Sequence, residues 1–192
     1  MRTLAITQNI TLDGSVEMLG SWFDPQGDGS AVAGADMSDV QEATRQQSEG
    51  SDAIVLGRQT FEDFRSYWPH QTDDTTGTTG TTEELNRIQK YVVSSTLTDP
   101  EWENSTILTG DPVEEVRALK ELDGKDIVVT GSISLSHALL LGGIVDELRL
   151  WTYPVVQGAG RRLVPDGFAV EQLALRECRS FVSGVTLTTY AL

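Results

Sequence analysis

The chain is poor in the residues that build metal centres and covalent cross-links. It has one cysteine, Cys178, and two histidines, His70 and His137, among 192 residues. One cysteine excludes an intrachain disulfide, and without a Cys-x-x-Cys partner Cys178 reads as structural rather than nucleophilic. Two unclustered histidines offer no ligand set for a transition metal, so no metal site is expected. Cations are scarce as well: 14 Lys and Arg stand against 29 Asp and Glu, a net charge of −15. Upstream of Arg58 only Arg2 and Arg45 are cationic. A chain without a basic face is unsuited to nucleic acid or an anionic membrane surface, and the acidity reads as solubility. Any phosphate must then be held by local donors, namely helix N-termini and one or two arginines.

No apolar run is long enough to span a bilayer, and the sequence opens directly on strand-like residues, so a cytoplasmic location is expected. Three signatures are also missing. No G-x-G-x-x-G follows a strand, and neither G-x-x-x-x-G-K-[ST] nor G-x-S-x-G occurs.

What is present is an alternation of strands and helices. Residues 3–9 read as a strand, and Asp36 or Ser38 is placed to cap a helix running to about Glu49. Residues 53–57 form an apolar strand and 59–65 a short helix. A further helix over 82–89 and strands over 91–94 and 106–109 follow. Asp111, Pro112 and Glu114 have the spacing of a capping box, opening a helix with Val113, Val116, Leu119 and Leu122 on one face. A buried strand over 126–130, a helix over 133–141 and a strand over 146–153 come next. Two β runs, 171–180 and 184–191, join near Ser183-Gly184, with Leu173, Leu175, Val185 and Leu187 as their apolar set. The stretches 14–34 and 71–82 have no such pattern and read as loops. This order predicts one α/β domain over 1–192, with about eight strands in a three-layer α/β/α arrangement. The sheet is mostly parallel with a terminal antiparallel hairpin.

Ligands of open α/β sheets collect at the carboxyl ends of strands, beside helix N-termini. Two turns fit that rule. Leu56-Gly57-Arg58-Gln59-Thr60 offers a close backbone approach, a guanidinium and a hydroxyl. Thr130-Gly131-Ser132-Ile133-Ser134 offers backbone N–H groups and two hydroxyls. Each taken singly also reads as a plain turn. Asp13 reads either as a turn residue in Asp-Gly or as the acid of a reduction.

Five stretches together resemble a known family. They are Thr11-Leu-Asp-Gly14, Val55-Leu-Gly-Arg-Gln-Thr-Phe-Glu62 with Trp68-Pro69, Lys90-Tyr-Val-Val-Ser94, Lys125-Asp-Ile-Val-Val-Thr-Gly-Ser132, and Val145-Asp-Glu-Leu-Arg-Leu150 running on to Pro154-Val-Val-Gln-Gly-Ala-Gly-Arg161. In order and spacing they resemble the C-terminal reductase domain of the bifunctional deaminase-reductase of riboflavin biosynthesis, especially its stand-alone bacterial relatives. These belong to the dihydrofolate reductase-like superfamily.

The resemblance implies an NADPH-dependent reductase, with NADH as the other cofactor, acting as a homodimer on a small molecule. It implies cofactor contacts from Gly14, Gly57, Arg58, Thr60, Ser94, Ser95, Gly131, Ser132, Ile133 and Leu135, and a catalytic Asp13. Three departures stand out. Ser95 occupies a position where relatives often carry arginine, and Ile133 one where a second glycine is common. Gln41, with Asp36 and Asp39 upstream, stands near the place of the substrate carboxylate of true dihydrofolate reductases, so folate is not supported as substrate. The expectation is hydride transfer to a small heterocycle or carbonyl compound, and the alternative is a ligand-binding protein without turnover. The alternation in 146–153 also sets Leu148, Leu150 and Tyr153 on one phase and Arg149 and Trp151 on the other. An exposed Trp151 near a sheet edge would favour a partner subunit.

Overall fold

A computed structural model describes residues 1–20, 22–23, 35–72 and 81–192. Parts of both unpatterned stretches, 14–34 and 71–82, therefore lie outside the described residues. In chain order the elements are β1 (Leu4–Thr11), α1 (Ser38–Glu49), β2 (Ser51–Gly57) and α2 (Arg58–Tyr67). A 3-10 turn (Trp68–His70), α3 (Thr81–Arg87), β3 (Gln89–Val93) and β4 (Ser105–Leu108) follow. The chain closes with α4 (Pro112–Lys120), β5 (Asp126–Gly131), α5 (Ile133–Leu141), β6 (Glu147–Tyr153), β7 (Ala174–Ser180) and β8 (Thr186–Ala191).

The strands form one eight-stranded sheet in the order β4-β3-β2-β5-β1-β6-β8-β7. Every pairing from β4 to β6 is parallel, and β8 runs antiparallel between β6 and β7. The terminal hairpin is thus part of the main sheet, as its sequence implied.

Strand alternation sorts the core. Leu4 and Ile6 of β1, Ile127 and Val129 of β5 and Leu148 of β6 point to one face, where Val116 and Leu119 of α4 and Leu135, Leu139 and Leu140 of α5 cover them. On the opposite face there are two separate clusters. One joins Ile54 and Leu56 of β2 to Phe61 of α2, Trp68, Val92 and Trp102. The other joins Val40 and Ala43 of α1 to Trp151 and Tyr153 of β6, Phe181, Val185 and Leu187. The result is three layers, helix on sheet on helix.

The helix starts differ from the expected caps in informative ways. Asp111 Oδ1 accepts from the backbone N–H of Val113 and of Glu114, with Pro112 at the first helical position. The reciprocal carboxylate is Glu115, one residue later than the spacing suggested, which accepts from Gly110 N–H. In α1 the cap position is Met37, and Asp36 serves by accepting from Ser38 N–H at 2.9 Å.

Three expectations about the C-terminal half are corrected. Tyr153 lies on the Trp151 face, because strand side chains alternate and both numbers are odd. Trp151 is buried within the chain, stacked on Phe181 with centroids 5.6 Å apart and its indole N–H directed at Gln47. β6 is an interior strand, so Trp151 gives no reason for a partner subunit. Leu175 is 57% exposed rather than buried, since β7 is the last strand and all its residues face solvent.

Candidate functional site

The parallel strands deliver their carboxyl ends to one edge of the sheet, in the spatial order β3, β2, β5, β1, β6. Residues far apart in sequence therefore line up: Ser94 and Ser95 after β3, Gly57 and Arg58 after β2, Gly131 and Ser132 after β5, and Asp13 and Gly14 after β1.

The turns after β2 and β5 touch. A β-carbon built on Gly57 would lie 2.3 Å from Ser132 Oγ, and one on Gly131 would lie 2.8 Å from Thr60 Oγ1. Two bare backbones thus pack where side chains would not fit. The helices that begin there are also uncapped. Neither Gly57 at the start of α2 nor Ser132 at the start of α5 supplies a side-chain cap. Each first turn keeps N–H groups without intrahelical partners, and each helix dipole adds positive potential there. By contrast, α4 is capped by its own Asp111. Paired, self-uncapped N-termini suit a pyrophosphate.

The side chains of this region divide by role. Arg58 is half exposed and pairs with Glu62, four residues along α2, at 3.3 Å. Ser94 Oγ accepts from the N–H groups of Thr96 and Leu97, so its hydroxyl organises the turn and leaves Ser95 exposed. Ser132 and Ser134 hydroxyls lie 3.0 Å apart. Ile133 packs against the core, and Leu135 is buried in it. Both side chains turn away from the edge, so these two positions offer only backbone N–H, and Ile133 does not crowd the turn.

Asp13 is not built to donate a proton. Its Oδ1 accepts from the Thr11 hydroxyl at 2.6 Å and from Gln157 N–H at 3.1 Å, and Oδ2 accepts from Gly158 N–H at 2.8 Å. The Thr11 hydroxyl, helped by those two amides, holds the carboxyl at about 2, below its ordinary 3.8. An acid ionised at every physiological pH is a poor general acid. Asp13 instead clasps the loop after β1 to the loop after β6. Val16 N–H to Arg161 O and the Arg161–Glu17 ion pair extend that clasp. Arg162 Nη1 donates to Asp13 O at 2.6 Å, and a shallow pocket of about 220 Å³ lies between the loops, lined by Asp13, Ser15, Gly158–Gly160 and Arg162. The loop after β6 is anchored from the other side by His137 Nε2, 2.9 Å from Arg162 O.

Burial along the two central strands shows a second opening. On the α4–α5 face Leu4, Ile6, Ile127 and Val129 are completely buried. On the opposite face Thr7 and Asn9 of β1 and Val128 and Thr130 of β5 are only half-buried. The two clusters on that face cover β2 on one side and β6 with β8 on the other, and neither includes a residue of β1 or β5. A groove two strand spacings wide, about 10 Å, is left between α1 and α2. It runs to the edge where the two glycine turns meet. Trp22, Phe23 and Tyr153 form an aromatic group on the α1 side, with ring centroids 5.4–5.9 Å apart.

The cofactor-type turns were legible in sequence, but this groove was not singled out. A signal existed: Thr7 and Asn9 are polar on the inward-facing phase of a strand whose other phase is Leu4, Ile6 and Ile10. Gln157 and Gly158, which clasp Asp13, carried no local signal because their partner is 144 residues away in sequence.

A parallel α/β sheet with an antiparallel terminal hairpin, a groove on one face and a glycine-turn edge defines a dihydrofolate reductase-like fold. The model of the RibD C-terminal domain family matches residues 2–187, and the chain belongs to that family. Protein YyaP of Bacillus subtilis is 36% identical over 144 residues, covering 72% of this chain and 73% of that protein. Among solved structures, a riboflavin biosynthesis protein from Shewanella superposes with a TM-score of 0.68 at 17% identity, covering 98% of both chains. A pyrimidine reductase-like protein from Corynebacterium diphtheriae superposes at 0.64 and 17% identity, over 100% of this chain and 92% of the other. Dihydrofolate reductase of Enterococcus faecalis, solved with NADP(H), superposes at 0.61 and 15% identity, over 98% and 95%. The family is one of riboflavin-pathway-like reductases.

Proposed function

We propose that the protein is an NAD(P)H-dependent reductase of a small heterocycle or carbonyl compound, similar in its chemistry to 5-amino-6-(5-phosphoribosylamino)uracil reductase. The observation that carries this reading is the contact of two uncapped helix starts through Gly57 and Gly131. The N–H groups of α2 and α5 would hold the pyrophosphate, and Arg58, released from Glu62, would add a guanidinium to a phosphate. Ser95 would lie open at the adenosine end. The dinucleotide, when bound, supplies the hydride. The chain's residues bind and orient: the Asp13 clasp fixes the loop carrying Gly14 beside the groove mouth, and Thr7 and Asn9 floor the groove itself. With Asp13 ionised, the accompanying proton comes from water in the open groove.

We further propose assembly as a homodimer through the β7 edge. Support for this lies in β7 itself, a terminal strand with every residue exposed and with Leu175 among them. Light scattering that gives a monomer mass at every concentration would sink that part.

The test of the reductase reading is titration of NADPH and NADH side by side. Binding of either in the micromolar range supports it, and no binding of either at millimolar concentration overturns it. Binding without oxidation of the cofactor by any candidate substrate would favour the ligand-binding alternative.

A further inference from the structure

The reading of the groove as the substrate site, on which this step rests, leaves open what the substrate carries. Charge answers that. On the groove's face of the sheet the one strand cation beside Thr7 is Arg149, its cross-strand neighbour. Arg149 is 9% exposed and fully engaged. It donates to Asp126 at 2.5 Å and to Glu147 at 2.8 and 3.0 Å, so the cluster carries net negative charge. On the groove's flanking helices Arg45 of α1 pairs with Glu42 and Glu49, and Arg65 of α2 pairs with Glu101 and two carbonyls. Lys90 directs its ammonium at the carbonyls ending α3. Arg58 stands at the start of α2 with Glu62. The other cations lie on the opposite sheet edge, on α3, α4 and β7, or in the loop after β6 that is tied to α5. The segments 24–34 and 73–80 contain Asp24, Asp28, Asp73 and Asp74 and no Lys or Arg.

What the floor offers instead is neutral hydrogen bonding. The Asn9 side chain, half-buried, is unbonded among the described residues, and its amide presents one acceptor and two donor hydrogens. Thr7 Oγ1 is buried without a partner, and a rotation about χ1 exchanges it with the methyl that faces the groove. An amide and a hydroxyl side by side match the lactam or amidine edge of a nitrogen heterocycle. A phosphate placed there would meet no cation and a net negative surround.

We propose that the groove selects an uncharged nitrogen heterocycle and rejects its phosphorylated counterpart, with Asn9 as the residue that reads the ring edge. The preference separates this chain from an enzyme whose substrate carries a phosphoribosyl arm.

The experiment uses two matched pairs as probes: uridine with uridine 5′-monophosphate, and 6-hydroxymethylpterin with its phosphate ester. Each is titrated by calorimetry into the full chain saturated with NADPH or NADH. At least one neutral ring binds, its phosphate binds at least tenfold more weakly, and Asn9→Leu lowers the neutral ring's affinity about tenfold. Asn9→Lys narrows or reverses the gap between neutral and phosphorylated forms. The inference is overturned if a phosphate ester binds as tightly as its neutral partner, if neither neutral ring binds to the dinucleotide complex, or if Asn9→Leu is without effect. Failure of the dinucleotide itself to bind is a separate result, and it removes the reductase reading rather than the charge preference alone. Thermal melting of each variant shows that it is folded, and the wild-type pair comparison stands even if Asn9→Lys is not.

Discussion

Gly57 and Ser132 meet so closely that a β-carbon on Gly57 would sit 2.3 Å from the serine hydroxyl and 3.2 Å from the Ser132 backbone nitrogen. The backbone of Gly57 is extended, with φ of −76°, so alanine there is unstrained and the collision is the whole effect. Gly57→Ala is expected to part the two turns and weaken dinucleotide binding about tenfold, roughly 1.4 kcal/mol, while the fold survives. Gly57→Ala combined with Ser132→Gly, which removes the hydroxymethyl, should recover part of the loss. Titration calorimetry on the three variants checks both statements, and equal affinity for Gly57→Ala and wild type would show that the turns do not form the phosphate site.

Asp13 should behave as a clasp rather than an acid. Its folded-state value is depressed, so the stability it lends is fully present above about 3.8 and is lost as pH falls toward about 2. Across pH 5–9 it contributes no ionisation to a rate profile. Asp13→Asn sets an amide N–H against one of the donors it now accepts from. The expected outcome is faster hydrogen exchange at the Gln157 and Gly158 amides with little change in melting temperature. An activity profile whose acid limb disappears in Asp13→Asn would restore the catalytic reading.

The sheet was readable in sequence because each parallel strand is followed by a capped or glycine-ended helix whose apolar spacing is local, as in Asp111–Leu119. The turns at Gly57 and Gly131 were readable for the same reason, but their mutual contact was not, since it depends on β2 and β5 being neighbours. Trp151 misled because composition shows that a tryptophan must be covered without showing by what. Its cover, Phe181, lies in the hairpin turn 30 residues further on. The groove escaped because an opening is an absence of covering side chains, and no residue type encodes that.

Lys90 is completely buried, with its ammonium 2.8 Å from Leu85 O, 2.9 Å from Ile88 O and 4.4 Å from the Trp102 ring centre. Burial lowers its value from 10.5 to about 8, with Glu103 opposing the shift. Between those values the unfolded chain binds a proton that the folded chain has released. Stability therefore rises with pH across that window, by up to roughly 1.4 kcal/mol per pH unit. The difference in melting temperature between wild type and Lys90→Met should change from pH 7.5 to pH 10 in favour of wild type. A constant difference would mean that the three carbonyls hold the lysine charged throughout.

Arg58 separates a ligand role from a structural one. Its pair with Glu62 is exposed, long at 3.3 Å, and spaced four residues apart on one helix. Such pairs contribute about 0.3–0.5 kcal/mol, so breaking this one should leave the melting temperature of the cofactor-free chain nearly unchanged. A charge-assisted contact to phosphate is worth roughly 1.5–3 kcal/mol, so Arg58→Ala should lower dinucleotide affinity about tenfold to a hundredfold. Glu62→Ala provides the opposite sign: it frees the guanidinium and removes a carboxylate beside the phosphate, and affinity should rise by a few-fold. If Arg58 serves only the helix, both substitutions would shift the melting temperature together and leave the titrations with NADPH and NADH unmoved. Opposite affinity changes at two adjoining positions of one ion pair, with stability level in both, cannot arise from a purely structural arginine.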